Sequence, residues 1–210
     1  MRPSWFVVRR WERSASESEA YIAEYEFPSH LQQRAARHEP RLGESWDLVE
    51  GGLREWFICC AWRGATVLGM PSRAVDEAWH AFILDSLAYT HFCNSAFGGY
   101  LHHTPDEGMS TPMSDALLET VRAWDRSDAS EAGDSVLWNL DRRLGIREPL
   151  SLGALDLSAA RTGPPVPAAV ALAGGAVAAP WVSGGCVVAS GGGGGGGEGG
   201  GGGGCGGGGG

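Results

Sequence analysis

Over most of the first 145 residues, apolar positions recur at three- and four-residue spacing, the period of helices with one buried face. The plainest run is Trp46, Val49, Leu53, Trp56, Phe57 and Cys60. Ser45 is its expected N-cap, with Glu44 and Asp47 beside the positive end of the helix. Gly51-Gly52 is expected to weaken this helix and Gly64 to stop it. Upstream, Phe27-Pro28-Ser29 opens a helix toward His38, which Pro40 and Gly43 close, and a short helix is expected at Ala20–Glu26. Downstream, Ser114 is expected to cap a helix carrying Leu117, Val121 and Trp124 on one face. Asp134 or Ser135 opens a last helix with Val136, Leu137, Leu140 and Leu144 inward and Gly145 after its end. No period-2 run of useful length appears. The expected fold is therefore all-α, a small orthogonal or irregular bundle of four to five helices.

The densest pattern is Ala74–Pro105, which holds four of the six histidines, many aromatics and a Gly-Gly turn. Val75–Phe97 reads as one helix, opened by Pro71-Ser72 and apolar nearly all round, hence the expected central element. On it Asp76, His80, Leu84, Leu87 and His91 share one line. Trp79, Phe82, Ser86, Tyr89, Cys93 and Phe97 form a broad second face.

The tail divides the chain. Four segments are expected: a loosely ordered leader at 1–26, a helical domain at 27–148, an Ala/Pro/Gly linker at 149–183 and a polyglycine tail at 184–210. Beyond residue 190 every residue is Gly except Glu198 and Cys205, a low-complexity composition that buries nothing and is expected to be disordered. Val166–Val182 approaches the length of a membrane span, but two prolines, two glycines and little Leu, Ile or Phe argue for a flexible linker.

The net charge is −9, and all sixteen basic residues are Arg. An acidic chain without a basic stripe excludes nucleic acid as the expected partner, because phosphate neutralisation supplies most of that affinity. The five cysteines are odd in number, two of them are adjacent and none forms C-x-x-C, so neither a disulfide framework nor a zinc ribbon is expected. Trp5–Val8 is too short for the apolar core of a signal peptide. The expected location is the cytoplasm. A membrane-associated form tethered through 166–182 is the alternative.

Helical spacing restricts the candidate chemistry. His80 and His91 lie eleven residues apart, about 16 Å along one helix, too far to share an ion. Asp76 and His80 are one turn apart, and the carboxylate can fix the imidazole tautomer. The Gly98-Gly99 turn lets Tyr100–Thr104 double back, and five extended residues reach about 16 Å. That brings His102 and His103 toward the helix and supplies the donor types for zinc or iron: Asp76, His80, His102 and His103. Trp79, Tyr89 and Cys93 are expected to support this group. The plainer alternative is a satisfied Asp76–His80 core pair with His102 and His103 sealing the helix end. The chain carries no G-x-S-x-G and no phosphate-binding glycine loop set between strand and helix. Cys93 lies on the most aromatic face, which argues against a reactive thiolate.

Around these residues the chain resembles the glycine-rich domain-containing protein-like family, known from plants and with bacterial relatives. The resemblance rests on Val75-Asp76-Glu77-Ala78-Trp79-His80, Tyr89, Cys93, the Gly turn and Leu101-His102-His103. Leu137-Trp138-Asn139-Leu140-Asp141 and the glycine-rich C-terminus add to it. It implies a bacterial relative with a helical domain over about 27–145, linked in plants to developmental and stress responses and without an established catalytic residue. Phe82 stands where many plant members carry a second histidine, which counts against a double-histidine site within the helix.

The reading that follows is a soluble helical module that binds a protein or small ligand rather than catalysing a reaction. It carries a metal or ligand site on the central helix. The alternative is a metal-dependent, hydrolase-like enzyme using the same residues.

Overall fold

The computed structural model describes residues 13–64, 66–105, 108–109 and 111–146, and the backbone of 185–188. Residues 1–12, the expected linker at 149–183 with its Val166–Val182 segment, and the tail apart from 185–188 lie outside the described residues.

The described chain is mainly helical. In order it forms α1 (Ala15–Glu24), α2 (His30–Ala35), α3 (Pro40–Glu44), α4 (Trp46–Trp62), β1 (Leu68–Gly69), α5 (Arg73–Ile83), α6 (Ser86–Phe97), β2 (Leu101–Thr104), α7 (Met113–Asp125), α8 (Leu140–Arg143) and β3 (Gly185–Val188). Two 3-10 turns, Asp128–Ala132 and Val136–Trp138, lie between α7 and α8. No helix among the described residues is long and apolar enough to cross a membrane.

The hub is α4 rather than the stretch after Pro71. It packs against α1, α3, α5, α7 and α8, and Leu53, Trp56 and Phe57 on it are fully buried. Gly51-Gly52 does not interrupt the helix. Side chains of α5 and α8 press on α4 at Gly52: a Cβ there would stand 2.8 Å from both Val75 Cγ2 and Leu140 Cδ2. Phe27, Phe57, Phe82 and Phe92 then build an aromatic centre with ring centroids 4.6–6.2 Å apart, within the range where tilted and edge contacts add to burial.

The single helix expected over Val75–Phe97 is two. The break falls at Leu84–Asp85, where no Gly or Pro stands. Asp85 leaves helical geometry (φ −87°, ψ 69°) and its carboxylate accepts the Ala88 N–H at 3.4 Å. The other oxygen pairs with His30 Nε2 at 3.0 Å. A side chain that can both cap a new helix and meet a partner outside it favours the break. Trp79, Phe82, Tyr89 and Cys93 are buried as expected, whereas Leu84 and Leu87 stand 69 % and 71 % exposed.

The N-terminal helix starts at Ala15 instead of Ala20. Ser14 and Glu17 close a reciprocal capping box. Its Ile22 is fully buried, and Arg54 of α4 donates to the Ile22 and Ala23 carbonyls at its end. Helix α7 begins at Met113 after Pro112, not behind a Ser114 cap.

A three-stranded sheet completes the architecture, with order β1-β3-β2 and β3 antiparallel to both neighbours. These short strands leave the described chain mainly helical, in keeping with the all-α expectation, and they have no signature in the sequence. Strands of two and four residues are too short to show a period-2 pattern, and their hydrogen-bonding partner lies 116–118 residues beyond β1 and 81–87 beyond β2.

Buried carboxylates lock the elements together. Glu19 of α1, 6 % exposed, accepts from the Trp62 indole and from the Asp128 and Ala129 N–H groups. Asp141 of α8 accepts from the Ser72 hydroxyl at 2.7 Å and from the Arg73 and Ala74 N–H groups at 3.0 and 3.1 Å. Each carboxylate thus satisfies the open N–H groups of a helical turn that begins elsewhere in the sequence.

Candidate metal centre

The site begins with how α6 ends. Gly98 adopts a left-handed conformation (φ 67°) and its N–H reaches the Asn94 carbonyl at 3.1 Å, so the chain turns back at once. Besides its pairing with β3, the returning strand β2 is tied to the helices by one buried hydroxyl. Trp79 Nε1 donates to the Tyr89 hydroxyl at 2.9 Å, and that hydroxyl donates to the Leu101 carbonyl at 2.6 Å. Leu101 is buried, so the strand's alternation sends His102 outward and His103 inward.

This alternation divides the two histidines expected at the site. His103 Nε2 lies 3.0 Å from Asp76 Oδ1, and its ring is 4.6 Å from that of Trp79 and 4.3 Å from that of His80. His102 is exposed, its ring 4.8 Å from Tyr100. His91 is exposed on α6.

Asp76 and His80 meet as their one-turn spacing requires, but in a different division of labour. His80 Nδ1 lies 2.8 Å from the Asp76 backbone carbonyl and 3.5 Å from its Oδ2. The closer partner of the carboxylate is His103. A His80 that donates Nδ1–H to the carbonyl leaves its Nε2 lone pair free to ligate. One donor atom each from Asp76, His80 and His103 lies within 4.8 Å of the others. The Asp76 and His103 side chains are 15 % and 14 % exposed, against 47 % for His80, so the group is anchored inside and open on one edge.

The sulfur expected beside this group plays a packing part. Burial pushes the Cys93 thiol up to about 11, against opposing hydrogen bonds from the Leu101 backbone and Tyr89. Such a shift favours the protonated thiol at neutral pH. Burial raises Tyr89 as well, which keeps its hydroxyl a donor to Leu101. Cys59 and Cys60 are buried in α4. Asp141, which sequence reasoning passed over as a functional residue, fixes the start of α5 and so the direction in which Asp76 and His80 leave it. Its only local signal is Ser72 as an N-cap.

Cavities lie at the start of α5 and, away from the cluster, at the start of α4. One of about 210 Å³ lies by His38, Glu39, Arg73 and Glu77. The other, of about 310 Å³, opens at the start of α4 beside Ser45, Trp46 and Asp47.

Fold and site together define a mainly helical domain with a His/His/Asp cluster where a helix meets a returning strand. The model of the UCP032817-like family, an uncharacterised family, matches residues 17–151, and the chain belongs to that family. This overturns the resemblance to the glycine-rich domain-containing protein-like family and its bacterial relatives. Asp76, His80, Tyr89, Cys93 and His103 all fall inside the UCP032817-like match. Neither the curated proteins nor the solved structures contain a match to the chain.

Proposed function

We propose that the protein is a metal-binding helical module holding one divalent transition ion, zinc or iron, between Asp76, His80 and His103, and that it acts by binding rather than by catalysis. The convergence of three donor atoms from two separate elements within 4.8 Å carries this reading. Tetrahedral donors about 2.0–2.1 Å from zinc stand about 3.4 Å from one another. His80, the exposed member, is the one with room to close the remaining distance. Two imidazoles and one carboxylate suit zinc, and the same set with open positions suits ferrous iron.

The test is elemental analysis of the purified full chain, followed by melting with and without chelator. The reading expects about one equivalent of zinc or iron per chain and a melting temperature that falls on chelation and returns with the ion. Metal-free protein with the same melting temperature in zinc, iron and chelator would contradict it.

The half-exposed His80 edge favours a second reading, in which a metal-bound water hydrolyses a substrate. Turnover of an activated ester or phosphate by zinc-loaded protein, lost in His103→Ala, would support that reading over simple binding.

A further inference from the structure

Among the described residues two large apolar side chains stand mostly exposed, Leu84 at 69 % and Leu87 at 71 %. Both follow directly on the metal cluster. Leu84 is the C-cap of α5, one turn after His80, and side chains four apart on a helix are neighbours with Cβ atoms about 5–6 Å apart. Leu87 lies in the first turn of α6, within about 11 Å of Leu84 even along extended chain. Half-buried Ile83 fills the same turn as Leu84. One turn before His80 the exposed residue is Glu77 instead. The open edge of the cluster therefore has a carboxylate on one side and an apolar ledge on the other.

We propose that this site takes a monocarboxylate with an unbranched apolar chain, its head completing the coordination of the metal and its tail lying over Leu84 and Leu87. The inference rests on the metal-binding reading above and names what that module binds. Three protein donors leave at least one position of a zinc or ferrous ion open. Asp76 and His103 are mostly buried and His80 is half-exposed, so an incoming ligand approaches over the His80 edge. A divalent ion held by one carboxylate and two neutral imidazoles keeps a net positive charge, which favours an anionic oxygen there. Glu77 repels a second negative charge on its side of the ion, which directs the rest of the ligand toward the leucines. Covering those side chains removes apolar surface from water, a gain of about fourfold in affinity for each methylene buried. Single exposed leucines are ordinary on a protein surface. A pair set just beyond the open side of a cation is what an amphiphilic anion matches. Two leucines also fall far short of the roughly 800 Å² per partner that a stable protein interface buries, so the ledge suits a small ligand better than a second chain.

The experiment titrates the full chain, loaded with Co(II) as a spectroscopically visible substitute for zinc, with acetate and with octanoate at neutral pH. The visible bands of the cobalt respond to its inner ligands and report binding of the head group. The same titrations are run on the Leu84→Ser/Leu87→Ser double variant, and calorimetry measures octanoate binding by the metal-free chain. Both acids are expected to shift the bands, octanoate at least about tenfold more tightly than acetate, and the double variant is expected to bind the two alike. Equal affinities in the parent, bands that neither acid shifts, a preference that survives the double variant, or octanoate bound as tightly without cobalt as with it would overturn the carboxylate ligand and leave the three-residue site standing. Equal affinities in a parent that is dimeric, and monomeric only as the double variant, would assign the leucines to a second copy instead. No cobalt uptake by the full chain would overturn both.

Discussion

The Tyr89 hydroxyl donates to the Leu101 carbonyl at 2.6 Å while receiving the Trp79 indole N–H at 2.9 Å. One buried oxygen thereby joins α5, α6 and β2, and the alternation that starts at Leu101 decides which histidine reaches Asp76. Tyr89→Phe removes the partner of both groups at little change in volume. We expect a loss of about 1–3 kcal/mol of stability, the usual cost of stranding buried polar groups, together with weaker zinc binding. Urea unfolding and a zinc titration check the two effects. An unchanged unfolding midpoint would show that β2 is held by other contacts.

The paired glycines of α4 make opposite predictions. Gly51 has nothing within 4 Å of a Cβ, whereas Gly52 would drive one into Val75 and Leu140 at 2.8 Å. Gly51→Ala is expected to stabilise the protein by about 0.5–1 kcal/mol through helix propensity alone. Gly52→Ala is expected to destabilise it by about 1–3 kcal/mol, because the overpacking outweighs the same gain. Thermal melts of the two variants settle the comparison, and equal shifts in one direction would refute close packing at Gly52.

Glu55 gives the pH prediction. Its Oε2 accepts the Ser135 hydroxyl at 2.6 Å and the Val136 N–H at 2.8 Å, closing the 3-10 turn on α4. Burial raises its carboxyl above the ordinary 4.5, with these hydrogen bonds opposing the rise. The folded state then holds this proton more tightly than the unfolded chain does. Its contribution to stability is complete below the ordinary value and is lost as pH rises through the higher folded one. Glu55→Gln keeps an amide oxygen for both donors and removes the titration. The difference in melting temperature between the variant and the parent protein should therefore shift in favour of Gln from about pH 4 to pH 7. A constant difference across that range would show that Glu55 titrates alike in both states.

Local pattern carried much of the fold. The apolar face of α4, the turn at Gly98 and the one-turn pairing of Asp76 with His80 all follow from helical spacing and glycine geometry, and each stands where that reasoning places it. The Ser14–Glu17 capping box was equally local, although the helix was expected to start later. Other features have no local signature. At the Leu84–Asp85 break the Asp85 carboxylate also meets His30, 55 positions away (85 − 30). Glu19 and Asp141 meet N–H groups 109 and 68 residues distant. The separation of His103 from His102 needs the phase of a strand that only tertiary contacts define, through Tyr89 and β3.

The most direct measurement is zinc titration by calorimetry of the full chain beside His102→Ala and His103→Ala. The two substitutions are chemically identical and adjacent, yet only one of these rings lies with Asp76 and His80. The account predicts about one zinc per chain for the parent and for His102→Ala, and loss of that binding in His103→Ala. Equal binding by the two variants, or none by the parent, would contradict it.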